Sequence, residues 1–203
     1  TAFLQPLARR GAGPATLNLA AVALSSSPGA LTALALNLAP SPYAALEVVF
    51  WLMGSLSDRS LAHVALALPF MAVGWALVLT TGRALDALTL GEDAAASLGF
   101  PLRRVRLLVI GGTAMAVGAS VAVAGAIGFV GLVVPHLMRP FVGHRPGRLL
   151  LASGLAGAAL TLGADIAVRL IPTRPELKLG VVTALIGAPF FLALLRHLKV
   201  DGE

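Results

Sequence analysis

Cysteine is absent from the 203 residues, which excludes a disulfide framework and any thiolate metal site. Lysine is nearly so: Lys178 and Lys199 are the only two, neither lies beside a glycine-rich loop, and no G-x-x-x-x-G-K-S/T pattern occurs. A nucleotide-binding P-loop is therefore excluded from this chain. Charge of either sign is scarce, at 12% of residues, where a soluble domain carries about 25%. The balance is basic, +6 from 15 Lys+Arg and 9 Asp+Glu. These charges flank apolar stretches instead of forming a patch interleaved with aromatics, so nucleic-acid binding is set aside. The excess is read instead as the orientation signal of membrane loops. No signal peptide is visible. Because the first residue is Thr1 and not Met, the N-terminus is expected to be truncated or processed.

What the chain has in quantity is apolar sequence, 58% of residues, with a mean hydropathy of +0.91. Crossing roughly 30 Å of hydrocarbon takes about 20 helical residues. Six stretches qualify as candidates: 15–38, 61–81, 105–126, 128–142, 149–171 and 179–197, the fourth being short. The expected fold is all-α, a polytopic membrane protein of about six spans forming a single transmembrane domain over 1–203. Between the first two spans, Pro40, Pro42 and Gly54 bracket about a dozen residues of helical pattern, a length that suits a re-entrant or interfacial helix. With the N-terminus inside, 11 of the 15 Lys and Arg fall on the cytoplasmic side, leaving Arg59, Arg169, Arg174 and Lys178 outside. Both ends are then cytoplasmic.

Small residues line the span interiors. Gly111, Gly118 and Gly125 recur every seven residues in the third span and predict a smooth face for close helix approach. In the fifth, Ser153, Gly157, Thr161, Asp165 and Arg169 form an i, i+4 series that should face protein. Asp165 and Arg169 have the favourable order for an ion pair, and Arg169 lies close enough to the outer end to snorkel.

Residues 91–108, GEDAAASLGFPLRRVRLL, carry their own start and stop signals. Thr89 and Glu92 have capping-box spacing, Glu92 and Asp93 complement a helix N-terminus, Ala94 to Ala96 favour helix, and Gly99 suits a left-handed C-cap. Pro101 then suits the first turn of a second short helix that carries Arg103, Arg104 and Arg106 into the third span. A capped piece too short to be stable without packing reads either as a knob built to fit a groove on a partner or as an ordinary cytoplasmic loop with some helix in it.

The stretch LGEDAAASLGFPLRRVRLL, then AVAGAIGFVGLVVPHLMRPFVG (122–143), LLLASGLAGAALTLGADIAVRL (149–170) and ELKLGVVTALIGAPFFLALL (176–195), with FWLMGSLS (50–57) upstream, resemble in order and spacing the FecCD family. These are the permease subunits of ABC importers for iron-siderophores, haem and vitamin B12. The resemblance covers nearly the whole chain and implies a fold of ten spans, of which the six here match the last six, so that the first four are expected to be missing. It implies that 83–104 is the cytoplasmic coupling segment, with Glu92, Asp93, Ala94, Ala95, Leu98 and Gly99 at the docking helix for an ATPase dimer. It also implies a second permease copy, homodimeric or closely homologous, around a path at the dimer axis, an extracytoplasmic binding protein that delivers the solute, and a place in the bacterial inner membrane. No cofactor is expected on this chain, ATP and Mg being bound by the partner ATPase.

Further residues carry two readings each. Pro135-His136 could be imagined as part of a metal site, yet a lone imidazole without a second ligand in register is a poor one. The resemblance makes His136 a packing or hydrogen-bonding residue of a mobile short helix near the cytoplasmic mouth. Gly128, Gly131 and Pro135 weaken the helix where a gate could hinge, or simply shape a tight turn. Ser25, Ser26 and Ser27 precede Pro28 at mid-span, and a polar kink there would line a path. The resemblance places that span on the path wall. Tyr43, Trp51 and Trp75 read as interface anchors or packing residues. For Arg169, an ion pair with Asp165 stands beside the resemblance's implication, contact with a carboxylate on the binding protein.

The function expected is therefore an ATP-driven import permease for an iron-siderophore, haem or cobalamin-like chelate, and not an enzyme. A secondary transporter would need paired intramembrane carboxylates or a cation site, and Asp165 is the only acid well inside a span. An intramembrane enzyme would need a nucleophile-base pair or metal cluster that is not readable. A zinc or manganese permease is the nearest rival within the ABC class.

Overall fold

A computed structural model of the chain describes residues 14–143, 145–171 and 177–200, with side chains described over 26–143, 145–171 and 177–191. Nine helices are described and no strand among the described residues: α1 Pro14–Asn37, α2 Pro42–Leu52, α3 Leu61–Leu79, α4 Gly82–Leu88, α5 Glu92–Ser97, α6 Leu102–Ala124, α7 Val130–Val142, α8 Pro146–Leu170 and α9 Leu179–Val200. Contacts divide the chain into two units, Thr1–Phe50 and Trp51–Glu203.

In the first unit, α1 runs without interruption through Pro28. The polar kink expected after Ser25–Ser27 falls at a proline accommodated inside one helix. A proline removes a single backbone donor, which membrane helices tolerate, and the Thr32 hydroxyl donates to the Pro28 carbonyl oxygen at 3.0 Å. Ser41 starts α2 by accepting the Ala44 N–H at 3.2 Å, with Pro42 in the first helical position, the arrangement both residue types favour. At 11 residues, α2 has the length read from its bracketing prolines.

Five of the six candidate spans contain helices of 19 to 25 residues. Among the described residues, α3, α6 and α8 combine that length with enough apolarity to cross a membrane. The fourth candidate does not: α7 has 13 residues, about 20 Å of rise. It begins only after the chain breaks at 125–129.

Within the second unit, α3 and α6 pack closely, and the contact is glycine against glycine. A Cβ on Gly74 would lie 2.5 Å from the Gly112 oxygen and 2.7 Å from the Ala116 nitrogen. This contact uses a face of α6 other than the smooth Gly111/Gly118/Gly125 one. A Cβ on Gly111 or Gly118 would meet nothing within 4 Å, whereas Gly125, at the helix end with φ +74°, lies against the backbone of Trp51 and Gly54. The packed face is one residue out of phase with the expected one, set by where Gly74 sits on α3. Of the polar series on α8, Gly157 faces Val130 of α7, with 3.6 Å from its would-be Cβ to Val130 Cγ1, and Thr161 donates to the Gly157 carbonyl oxygen at 2.8 Å.

The core and surface are inverted relative to a soluble protein. Ala67, Ala84, Ala87, Ala95 and Ala116 are buried, while Leu61, Leu155 and Leu170 are 86%, 75% and 77% exposed. Small residues inside let backbones approach, and large apolar ones outside cost nothing against lipid tails.

The loops sort to the two ends of this unit. At one end, the Ser55 N–H donates to the Ala124 carbonyl at 2.7 Å and the Gly180 N–H to the Gly54 carbonyl at 3.1 Å. These join 54–55, the end of α6 and the start of α9, where Arg59 lies 4.8 Å over the Trp51 ring. At the other end lie α4, α5, the starts of α6 and α8 and the end of α7, with Arg83, Arg103, Arg104, Arg106, Arg139, Arg145 and Arg148. Residues grouped by charge as one side of a membrane thus share one end of the fold.

Candidate functional site

The second end is built around α4 and α5. Helix α4 is absent from the sequence reading, which ran the second span to 81 and then a loop; seven residues without caps give too little periodicity to mark it. Thr81, Ala84 and Ala87 anchor it with 2%, 4% and 7% exposure. Thr89 closes α4 at helical φ −67°, ψ −19°, and its hydroxyl donates to the Asp86 carbonyl at 2.7 Å. The expected Thr89–Glu92 capping box is therefore not formed, because an N-cap needs extended backbone. Gly91, at φ +104° and ψ +159°, holds that position instead. Glu92 turns away to Arg106, Oε1 to Nη2 at 2.5 Å.

The far end of α5 has the expected form. Gly99 lies at φ +84°, its N–H donates to the Ala96 carbonyl at 2.9 Å, and the Phe100 N–H donates to the Ala95 carbonyl at 3.2 Å. The 5→2 and 6→1 pair is a Schellman cap. No second short helix follows. Pro101 is the N-cap of α6, which runs straight from Leu102 with Arg103, Arg104 and Arg106 in its first turns.

Of the six residues expected at this site, Ala95 has 0% exposure and Ala94 is half-buried. Ala95 cannot meet a partner; it seats α5 on its own chain. Glu92, Asp93, Leu98 and Gly99 are exposed, together with Leu90, Ala96 and Ser97. Leu98 and Leu90 are 61% and 71% exposed, an apolar pair at the charged end of the fold. Below α5, Asp86 accepts the Gly147 N–H of α8 at 2.7 Å. Sequence reasoning missed Asp86 and Gly147, which carry no local motif, and the pairing of Arg106 with Glu92.

The residues expected at a path or gate lie elsewhere. Gly128 is exposed in the 125–129 break, Gly131 is in the first turn of α7, and Pro135 and His136 are half-buried inside α7. The helix continues through Pro135, so the interruption stands before α7 and not at the proline. Its pivot is Phe129, a non-glycine residue at φ +64°, whose side chain a Cβ on Gly187 of α9 would overlap. Ser26 and Ser27 are exposed on α1, and the Ser25 side chain lies outside the described residues. Arg169 Nε donates to Asp165 Oδ2 at 2.8 Å, with the arginine side chain 55% and the aspartate 14% exposed. The ion pair read from the i, i+4 spacing is formed.

A model described as the FecCD transport family matches residues 1–197. The chain is 41% identical over 187 residues to the cobalamin import system permease protein BtuC of Halobacterium salinarum, covering 92% of this chain and 49% of that protein. It is 39% identical over 186 residues to the Fe(3+) dicitrate transport system permease protein FecD of Escherichia coli (strain K12), covering 92% and 58%. A solved structure of an ABC transporter assigned to the metal-chelate type, in an inward-facing conformation, superposes with a TM-score of 0.80 at 32% identity over 91% of this chain and 61% of that one. The chain spans about half the length of the curated relatives it matches. With the family model matching nearly its full length, the chain belongs to the FecCD transport family.

Proposed function

We propose that the chain works within the membrane-spanning permease of an ATP-driven importer, moving a metal chelate of the iron-siderophore, haem or cobalamin kind. The observation that carries this reading is the family match over 1–197, and the exposed, capped α5 supports it. In this reading ATP and Mg bind a separate ATPase dimer seated on Asp93, Leu98 and the turn held by Gly99, with Glu92 beside them paired to Arg106. A second permease copy completes the path, and an extracytoplasmic binding protein delivers the solute, meeting Arg169 at the opposite end. The α4–α5 end faces the cytoplasm of a bacterial inner membrane in this reading, which the arginine asymmetry supports.

The substrate class proposed is supported by relatives named for cobalamin and Fe(3+) dicitrate. Asp165, the acid a secondary transporter would need, is occupied by Arg169. Uptake into proteoliposomes holding the permease, its ATPase and its binding protein tests the reading. Labelled cobalamin or a ferric chelate should accumulate with ATP on the ATPase side and not with an ion gradient alone. Gradient-driven uptake without ATP would overturn it.

A further inference from the structure

We propose that Asp86 is a positioning residue that latches the α4–α5 knob to the first turn of α8, so that displacement of the knob reaches α8 as rigid-body motion. The inference rests on reading α5 as the docking element and goes beyond it by naming where the motion enters the membrane.

Helix α8 begins at Pro146 with Arg145 as N-cap and no side-chain cap from its own sequence, which leaves first-turn N–H groups in need of acceptors. Asp86, 61 positions away, supplies one, its Oδ1 accepting the Gly147 N–H at 2.7 Å. A carboxylate on a helix N-terminus combines a charge-assisted hydrogen bond with the favourable end of the helix dipole. Glycine at 147 is what permits the approach. A Cβ there would lie 2.9 Å from Asp86 Oδ2 and 3.1 Å from the Gly82 oxygen, and one on Gly82 would lie 3.3 Å from Gly147 Cα. Two glycines let α4 and α8 touch, and Asp86 fastens the contact.

The knob is continuous with this contact. After α4 the Leu90 N–H donates to the Ala87 carbonyl at 3.0 Å and the Gly91 N–H to the Leu88 carbonyl at 3.1 Å, and the Ala95 N–H then donates to the Gly91 carbonyl at 3.0 Å. No unbonded stretch separates α4 from α5. Besides the packing of Ala95, the knob is tied by Glu92 to Arg106, a pair 65% and 51% exposed of a class worth little. The Asp86 contact is part-buried and springs from α4, the best-buried helix of this end, so it carries the load. Helix α8 in turn packs along α7, which holds Gly131 and Pro135.

Because the chain has no cysteine, Leu90→Cys in the α4–α5 turn and Leu151→Cys on α8 can carry nitroxides in the permease assembled with its ATPase. Their distance distribution should be narrow with Asp86 and with Asp86→Asn, which retains an acceptor, and broad with Asp86→Ala. In label-free Asp86→Ala, ATPase association and ATP hydrolysis should persist while solute moved per ATP falls about threefold or more; Asp86→Asn should recover most of that loss. If Asp86→Ala does not assemble, Gly147→Ala, which displaces the carboxylate, is read by the same two measurements. A narrow distribution with unchanged transport per ATP overturns the latch, as does a parallel loss of hydrolysis and transport, which would mark a merely structural contact. Failure of the wild-type permease to bind any ATPase would sink the docking reading instead, and the width of the distribution would still decide the latch.

Discussion

Glu92 Oε1 and Arg106 Nη2 are 2.5 Å apart across the bend between α5 and α6. The acid at the start of α5 is thereby paired inside its own chain and is not a cap. Exposed pairs of this kind contribute about 0–1 kcal/mol. Glu92→Gln and Arg106→Gln should each weaken ATPase co-purification only mildly, and to the same extent. The exchange Glu92→Arg with Arg106→Glu should restore it. A severe loss in Glu92→Gln, with Arg106→Gln unaffected, would mean that Glu92 meets a cation on the ATPase.

Gly99 meets nothing within 4 Å, so a side chain there has room, and the penalty for one is conformational. At φ +84°, a β-branched residue is strained by about 1–2 kcal/mol, which is large for a six-residue helix. Gly99→Val should impair ATPase association without altering membrane insertion. Gly99→Asn should be milder, since asparagine tolerates the left-handed region. Equal behaviour of the two, measured by co-purification, would show that the Schellman cap does not matter.

The glycine contact between α3 and α6 predicts a difference in stability between neighbouring glycines. Gly74→Ala places a Cβ against Gly112 and Ala116 backbone atoms, an overpacking of the kind that costs about 1–3 kcal/mol. Gly118→Ala enters open space and should be neutral. Thermal unfolding of the two variants in detergent checks this, and equal midpoints would refute the packing.

Orientation is tested by labelling from either side of intact cells. Ala96→Cys, on the exposed face of α5, should react only from the cytoplasm, and Ser60→Cys, at the opposite end of the fold, only from outside. The reverse pattern would remove α5 from reach of any cytoplasmic ATPase.

How much of this was legible in the sequence depended on whether the signal was local. The Gly99 cap, the 11-residue helix between Pro42 and Gly54, the long apolar helices and the Asp165–Arg169 pair each rest on neighbours within a turn or two, and all are present. The Thr89–Glu92 box also looked local, but α4 claims Thr89 first, and its helical backbone cannot serve as an N-cap. Glycine spacing on α6 showed that some face would pack closely, yet the choice among faces belongs to Gly74, on another helix. Asp86–Gly147 joins residues 61 positions apart through a backbone donor, and no pattern of side chains announces such a bond. Phe129 gave no sign either, because its left-handed backbone is imposed by the turn between two helices and not by its residue type.

Everything proposed for the α4–α5 end turns on whether the exposed face of α5 holds an ATPase. Asp93 and Leu98 lie on that face, Leu98 with 61% exposure, and neither supports the internal packing that Ala95 does. Co-purification of the ATPase with Asp93→Lys and with Leu98→Arg, in permease shown to be inserted and folded, is the deciding measurement. Each should lower association by about tenfold or more, the loss of about 1.4 kcal/mol or more at a contact residue. Association at the wild-type level in both would contradict the docking proposal, and α5 would then be only the turn that joins α4 to α6.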